Sequence, residues 1–466
     1  MSRLVVVSNR VPVSHDEPGA GGLAVALASA LGETGGLWFG WNGEIADDPA
    51  PPQVDADGPF TLATVPLSAE EFAGYYERFA NRTLWPLFHG RLDLSSFEHD
   101  AHAVWRAVNR RFAEALAPLL RPDDTIWVHD YHLIPLGREL RRLGVRAPIG
   151  LFLHIPFPPR QIAEALPWCA ELVEALLSYD LVGLQAERDV RNLRDAVETM
   201  PGGRAAGDGR LALGSASTRA GAFPIGIDAG AFADLAGSPD VERRTGWLRR
   251  RNAGRAIVIG VDRLDYAKGL RERFEAFAKM LDDHPSLRGG VALMQVAAPS
   301  REGIAEYQAM RGELEALVGR INGRYGTFDW MPLRYINRGF GHRQIAALFR
   351  FARVGLATPL CDGMNLVAKE FVAAQDPRDP GVLVLSRFTG AAERMPEALL
   401  VNPFDRDGTA AAIHRALSMP LEERVERWEP LMAELRRHDV HAWRRGFLAA
   451  LAETREADGA SGPRAA

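Results

Sequence analysis

The strongest constraint on this chain is a rhythm in which a short apolar run is followed by a longer amphipathic one, again and again. Residues 4–7 lead to 23–31, 125–128 to 134–143, 149–153 to 163–177, and 181–184 to 190–200. Short apolar runs suit strands buried on both faces, and the longer runs suit the helices that cover them. Repeated βαβ units around a mostly parallel sheet are therefore expected. After Phe223-Pro-Ile-Gly-Ile-Asp228 the rhythm restarts, with strand candidates at 256–261, 291–296, 354–358, 382–385 and 399–401.

Length agrees with this reading. A single core stops growing near about 250–300 residues, and the chain has 466. Two doubly wound domains in tandem are expected, residues 1–228 and 229–456, with the last helices packing back on the first domain and 457–466 a disordered tail. Residues 230–251 read as a boundary helix, and 201–214 as a glycine-rich loop. No internal repeat suggests a solenoid.

A net charge of -5 provides no whole-molecule field for nucleic acid or an anionic membrane, so any anion site must be local. Cys169 and Cys361 stand far apart, in neither a disulfide framework nor a metal-ligand spacing, and fit a reducing cytoplasm. The start of the chain runs into a strand without the apolar segment of a signal peptide, and no run is long enough to span a bilayer.

In sheets of this type ligands gather beyond the carboxyl ends of the strands, so the loops that follow strands carry the candidates. Ser8-Asn-Arg10 and the later Ala20-Gly-Gly-Leu23 offer a guanidinium and close-approaching backbone amides. Val128-His-Asp-Tyr-His132 places two imidazoles beside a carboxylate. That segment is short of a third metal ligand, and its polar groups can equally cap a helix. Three prolines hold Leu153-His-Ile-Pro-Phe-Pro-Pro159 extended and present His154 rigidly.

Asp262-Arg-Leu-Asp-Tyr-Ala-Lys-Gly269 brings two cations, Arg263 and Lys268, to one turn where a diphosphate would neutralise both; solvated surface charge is the plainer alternative. Thr358-Pro-Leu-Cys-Asp-Gly-Met-Asn-Leu-Val-Ala-Lys-Glu370 leaves a strand, turns at Asp362-Gly363, and enters a helix with Asn365 at its cap. Asp362 and Glu370 can each accept hydrogen bonds from vicinal hydroxyls. Tyr76 and Trp85 belong to an aromatic stretch that is core by default, yet each carries a polar handle.

Taken together, SNRVPV, AGGLAVAL, WFGWNGE, YYERFAN, LWP, VHDYHL, FLHIPFP, FPIGID, DRLDYAKG, PSREGIAEY, DGMNLVAKEFVAAQ, GVLVLSRFTGAA and VNPFD resemble the trehalose-6-phosphate synthases, glycosyltransferase family 20, in order and over nearly the whole chain. The resemblance implies an α/β GT-B fold, two Rossmann-like doubly wound domains with the active site in the cleft between them. It further implies a retaining transfer of glucose from a nucleotide-glucose to glucose 6-phosphate.

By the same resemblance, Arg10, Tyr76, Trp85 and Arg301 hold the acceptor's phosphate and Asp130 its hydroxyls. Gly22, Arg263, Lys268 and the amides of Asn365 and Leu366 hold the donor's diphosphate, His154 and Asp362 its glucose, and Glu370 its ribose. Phe340, Gly363 and Met364 complete the donor site. Asp130, His154, Arg263, Lys268 and Asp362 form the catalytic group. No metal and no cofactor is expected, and the assembly is expected to be a homo-oligomer, dimer or tetramer.

Two stretches depart from the family pattern. Cys361 stands where arginine is usual, and Asn337-Arg-Gly-Phe-Gly-His342 is glycine-rich near the expected nucleobase site; the choice of UDP over GDP or ADP turns on them. A pseudo-glycosyltransferase joining a nucleotide cyclitol to an amino-cyclitol phosphate should have altered acceptor residues, and these are intact. A non-catalytic sugar-phosphate sensor should have lost part of the diphosphate cluster, and that is intact too.

Overall fold

In the computed structural model, residues 3–12, 27–28, 31–32, 35–47, 51–252, 254–301 and 303–459 are described. They form two compact units, Met1–Pro224 with Trp443–Ala466, and Ile225–Ala442. Residues 443–456, assigned above to the second domain, thus belong to the first unit. The physical reason is burial within that unit. Gly150 and Gly183 leave room for the Phe447 ring, which stacks on Trp127 at 5.0 Å. The helix Val440–Gly459 also continues past residue 457, where a disordered tail was expected.

Among the described residues the first unit is built on ten strands, β1 (Leu4–Arg10), β2 (Gly36–Ile45), β3 (Gln53–Asp55), β4 (Thr61–Leu67), β5 (Thr125–His129), β6 (Ile149–Phe152), β7 (Leu181–Leu184), β8 (Gly203–Ala205), β9 (Arg210–Leu213) and β10 (Ala216–Ala222). Their order is β3-β4-β2-β1-β5-β6-β7-β10-β9-β8. The run from β4 to β10 is parallel, and β3, β9 and β8 add antiparallel edges. Residues 201–214 are therefore not a loop: β8 and β9 pair there, because alternate residues such as Leu211 find cover against the sheet. The amphipathic run 163–177 is likewise broken into two helices, Arg160–Ala163 and Cys169–Leu176.

The second unit holds β11 (Ala256–Arg263), β12 (Val291–Ala298), β13 (Leu333–Ile336), β14 (Val354–Ala357), β15 (Val382–Ser386) and β16 (Leu399–Val401). All neighbouring pairs are parallel, in the order β13-β12-β11-β14-β15-β16. This is the doubly wound order whose direction reverses between its first and fourth strands. Val258, Leu293, Val354, Val384 and Phe277 are wholly or almost wholly buried in its core. The expected boundary helix is two helices, Ala229–Ala236 and Pro239–Arg251, with Ser238 and Pro239 at the break.

Candidate functional site

In the second unit the order reverses between β11 and β14, so the loops after these strands flank the crevice where ligands bind in such sheets. DRLDYAKG begins in β11, whose last two residues are Asp262 and Arg263, and continues into the turn after it, and TPLCDGMN follows β14. Their backbones are joined where Leu360 N–H donates to the Ala267 carbonyl, 2.7 Å. Gly269 ends the first turn at φ 63°, and a Cβ there would lie 2.5 Å from the Thr358 carbonyl oxygen, so only glycine lets the loops approach this closely.

Across this junction Lys268 Nζ donates to Asp362 Oδ2 at 2.6 Å, with each side chain 14% exposed. Asn365, at φ 80°, caps the helix Leu366–Ala373 by accepting from Ala368 N–H, and its amide donates to Asp362 Oδ2 at 3.0 Å. Lys268, Asp362 and Asn365 are thus drawn to one point. Gly363 and Met364 are buried beside it, where Ala391 N–H donates to the Met364 carbonyl. Glu370 lies one turn into the helix from Leu366, and burial pushes its carboxyl up to about 7 although part of the residue remains open. Arg263 is exposed at the end of β11, and Phe340 lies under the Arg338 guanidinium at 4.7 Å.

Arg301, expected on the acceptor phosphate, belongs to this same unit. Its backbone is left-handed at φ 50°, and its guanidinium donates to Asp265 Oδ2 at 2.7 Å and to Tyr307 Oη at 2.8 Å. The other Asp265 oxygen accepts from Ala267 N–H at 2.9 Å. One fully buried carboxylate therefore holds both Arg301 and the turn that presents Lys268.

In the first unit the order reverses between β1 and β5. Arg10 ends β1 with its guanidinium 5.5 Å from the Trp41 ring centroid. Gly43, at φ 90°, opens that space, since a Cβ there would meet the guanidinium at 2.5 Å. Tyr76 packs on the same Trp41 at 5.9 Å and stacks on His132 at 5.8 Å. Tyr75 and Tyr76 lie on a π-helix, Phe72–Leu84, a wide-turn form that recurs at functional sites and leaves no distinctive sequence pattern. Trp85 is buried against His89 and Tyr131.

Asp130 leaves β5 at φ 75°, an uncommon conformation for a residue with a side chain, and its Oδ1 accepts the His154 backbone N–H at 3.2 Å. His129 Nδ1 and His154 Nε2 are 3.0 Å apart, and burial lowers His154 to about 3 and His129 well below the usual imidazole value. His154 is thus on the first unit although its expected role is on the donor. Gly22 lies outside the described residues.

Several residues that shape these sites carried no sequence signal. Arg273 reads as a helix surface charge, yet it is 1% exposed and reaches Asp262 at 2.5 Å, Gln295 at 2.7 Å and Thr358 at 2.9 Å, bracing the roots of both loops. Asp265 and Trp41 carry no distinct signal either, and His129 reads only as a metal ligand or a helix-capping group, not as the partner of His154. Asp265 was legible only as the second acid of DRLD, because nothing local says that its partner is 36 residues away.

Comparisons with known proteins agree with this architecture. The profile of glycosyltransferase family 20 matches residues 2–453. A trehalose-6-phosphate synthase of Sinorhizobium fredii is 49% identical over 454 residues, 96% of this chain and 98% of that protein. A UDP-forming α,α-trehalose-phosphate synthase of Burkholderia xenovorans, solved with glucose-6-phosphate, is 46% identical with a TM-score of 0.92, covering 96% of this chain and all of that one. An E. coli structure bound with UDP-2-fluoro glucose is 44% identical with a TM-score of 0.93, covering 97% and 99%. Identity of this depth along both units carries one conclusion: the chain belongs to glycosyltransferase family 20.

Proposed function

We propose that the chain transfers glucose from UDP-glucose to C1 of glucose 6-phosphate with retention, forming α,α-trehalose 6-phosphate. The observation that carries this reading is the Lys268–Asp362–Asn365 cluster at the reversal point of the second sheet, in a chain whose relatives are trehalose-6-phosphate synthases. Relatives solved with glucose-6-phosphate and with UDP-2-fluoro glucose support the two substrates.

The C1–oxygen bond to the diphosphate breaks while the 1-hydroxyl of glucose 6-phosphate forms the new bond on the same face, and its proton passes to the leaving phosphate oxygen. Arg263, Lys268 and the amides at Asn365 and Leu366 compensate the charge that grows on the diphosphate. Asp362 and His154 orient the transferred glucose, Glu370 the ribose, and Phe340, Gly363 and Met364 line the donor site. Arg10, Tyr76, Trp85 and Arg301 hold the acceptor phosphate, with Asp130 on its hydroxyls. On this reading Met1–Pro224 serves mainly the acceptor and Ile225–Ala442 mainly the donor, with His154 and Arg301 as the exchanged contributions.

No described helix is long and apolar enough to cross a membrane. Neither cysteine is in a disulfide, which fits the cytoplasm as the compartment, and a dimer or tetramer is the proposed assembly, to be checked by light scattering. The test of function is to incubate the purified protein with glucose 6-phosphate and UDP-, GDP- or ADP-glucose, with and without chelator, and to identify the product. Trehalose 6-phosphate from UDP-glucose is expected. Absence of a disaccharide phosphate from all three donors would overturn the reading.

A further inference from the structure

His129 Nδ1 and His154 Nε2, 3.0 Å apart, share one hydrogen bond, so one of the two nitrogens carries the proton and the other accepts it. Which one does so decides what His154 presents on its remaining nitrogen, Nδ1. The pair has two self-consistent states. If His129 donates, His154 carries its own proton on Nδ1 and is a donor there; if His154 donates, its Nδ1 is an acceptor.

The surroundings choose between them. His129 packs on Trp127 at 4.6 Å and on Trp443 at 6.3 Å, and the two indoles lie 4.9 Å apart. His129 Nε2, Trp127 Nε1 and Trp443 Nε1 are all buried without a hydrogen-bond partner among the described residues. An indole nitrogen can only donate. A proton on His129 Nε2 would therefore place three buried donors in one ring cluster with no acceptor, each unmatched donor destabilising the fold. With Nε2 bare, two donors and one acceptor remain. One buried water can accept from both indoles and donate to His129, making the three bonds usual for such a water. Burial keeps both imidazoles uncharged, which removes the doubly protonated alternative.

We propose that Trp127 and Trp443 hold His129 in the Nδ1–H tautomer and that His129 is a positioning residue fixing His154 as an Nδ1–H donor toward the sugar oxygen it meets. The consequence for catalysis rests on the function proposed above; the tautomer itself does not. Orientation of a ligand-binding imidazole by its second nitrogen is a general device.

Two measurements test it. Long-range proton–nitrogen correlation spectra of the ligand-free protein, with His154 assigned by its loss in His154→Gln, should show His154 protonated on Nδ1 and His129 on Nδ1. Protonation of His154 on Nε2, or an imidazolium, overturns the proposal whatever the enzyme makes. In kinetics, His129→Asn keeps an N–H near the Nδ1 position and should retain kcat within about threefold, whereas His129→Leu should lose about tenfold or more in kcat with the glucose 6-phosphate KM unchanged. Equal losses in both variants, with native near-ultraviolet dichroism, would make the residue merely structural. A wild-type protein that forms no product, with the His154 signal as expected, would refute the functional reading and leave the tautomer assignment standing.

Discussion

Lys268 Nζ donates to Asp362 Oδ2 at 2.6 Å, although the two residues are separated by 94 positions and belong to loops on either side of the sheet's reversal point. Both side chains are largely shielded but still reached by solvent, so breaking the pair on one side only costs less than it would for a fully buried pair. On the proposed function this fixes the ammonium before a leaving diphosphate develops charge, so that it does not reorganise during the reaction.

Lys268→Ala should lower kcat by about a hundredfold or more, because charge compensation of a leaving group acts in the transition state. The Tm should move by only a few degrees, roughly the loss of about 1–2 kcal/mol in a chain of this size. Steady-state kinetics with thermal denaturation on the same preparation check both, and turnover like that of the wild type would remove Lys268 from the mechanism.

Arg10→Ala should raise the glucose 6-phosphate KM by about tenfold to a hundredfold with a small change in kcat, as expected for loss of a charged fork on a phosphate. Gly43→Ala should do the same in weaker form, since its methyl group would occupy the space of the Arg10 guanidinium and its φ is 90°. A normal acceptor KM in both variants would detach this pocket from the acceptor.

Asp265→Asn separates two functions of one carboxylate. The variant still offers an oxygen to Ala267 N–H but loses the charge that holds Arg301. Acceptor KM should rise about tenfold, with the donor KM within about threefold of wild type. Equal effects on both substrates would show that the turn at Lys268, rather than Arg301, is what Asp265 supports.

Glu370 gives a pH dependence. Its carboxyl is raised by burial to about 7, so the folded protein binds a proton more tightly there than the unfolded chain does. Stability contributed by this group is present below the ordinary carboxyl range and is lost as pH rises toward about 7. Glu370→Gln should therefore stabilise the protein at pH 8 by about 1–2 kcal/mol, after allowance for the solvent that still reaches the residue. On the proposed function a ribose diol binds the carboxylate form, so the UDP-glucose KM should rise as pH falls below about 7, and this rise should vanish in Glu370→Gln. A pH-independent donor KM in the wild type would separate Glu370 from the ribose.

The order of apolar runs along the chain was enough to specify two doubly wound sheets and to select the loops at their strand ends, because strand burial and the right-handed crossover leave few other arrangements. Asn365 as a helix cap was readable for a similar reason: capping is settled within one turn of backbone. The pairing in residues 203–222 and the π-helix at Tyr75 and Tyr76 were not readable, since weak local patterns there are decided by the surfaces they meet.

The same division runs through the site. Arg263, Lys268, Asp362 and Glu370 stood out because polar residues beyond buried strands are conspicuous. Arg273 and Asp265 did not, and His129 stood out only as a metal ligand or helix-capping group, because their meaning lies in partners distant along the chain: a buried guanidinium bridging two loops, a carboxylate shared by Arg301 and Ala267, an imidazole held between Trp127 and His154. Sequence by itself determined which chemical groups this protein has and which strand ends carry them. Only the tertiary structure decided which of those groups are neutralised, which are buried and which nitrogen bears a proton, since each depends on the local dielectric and on contacts made after folding.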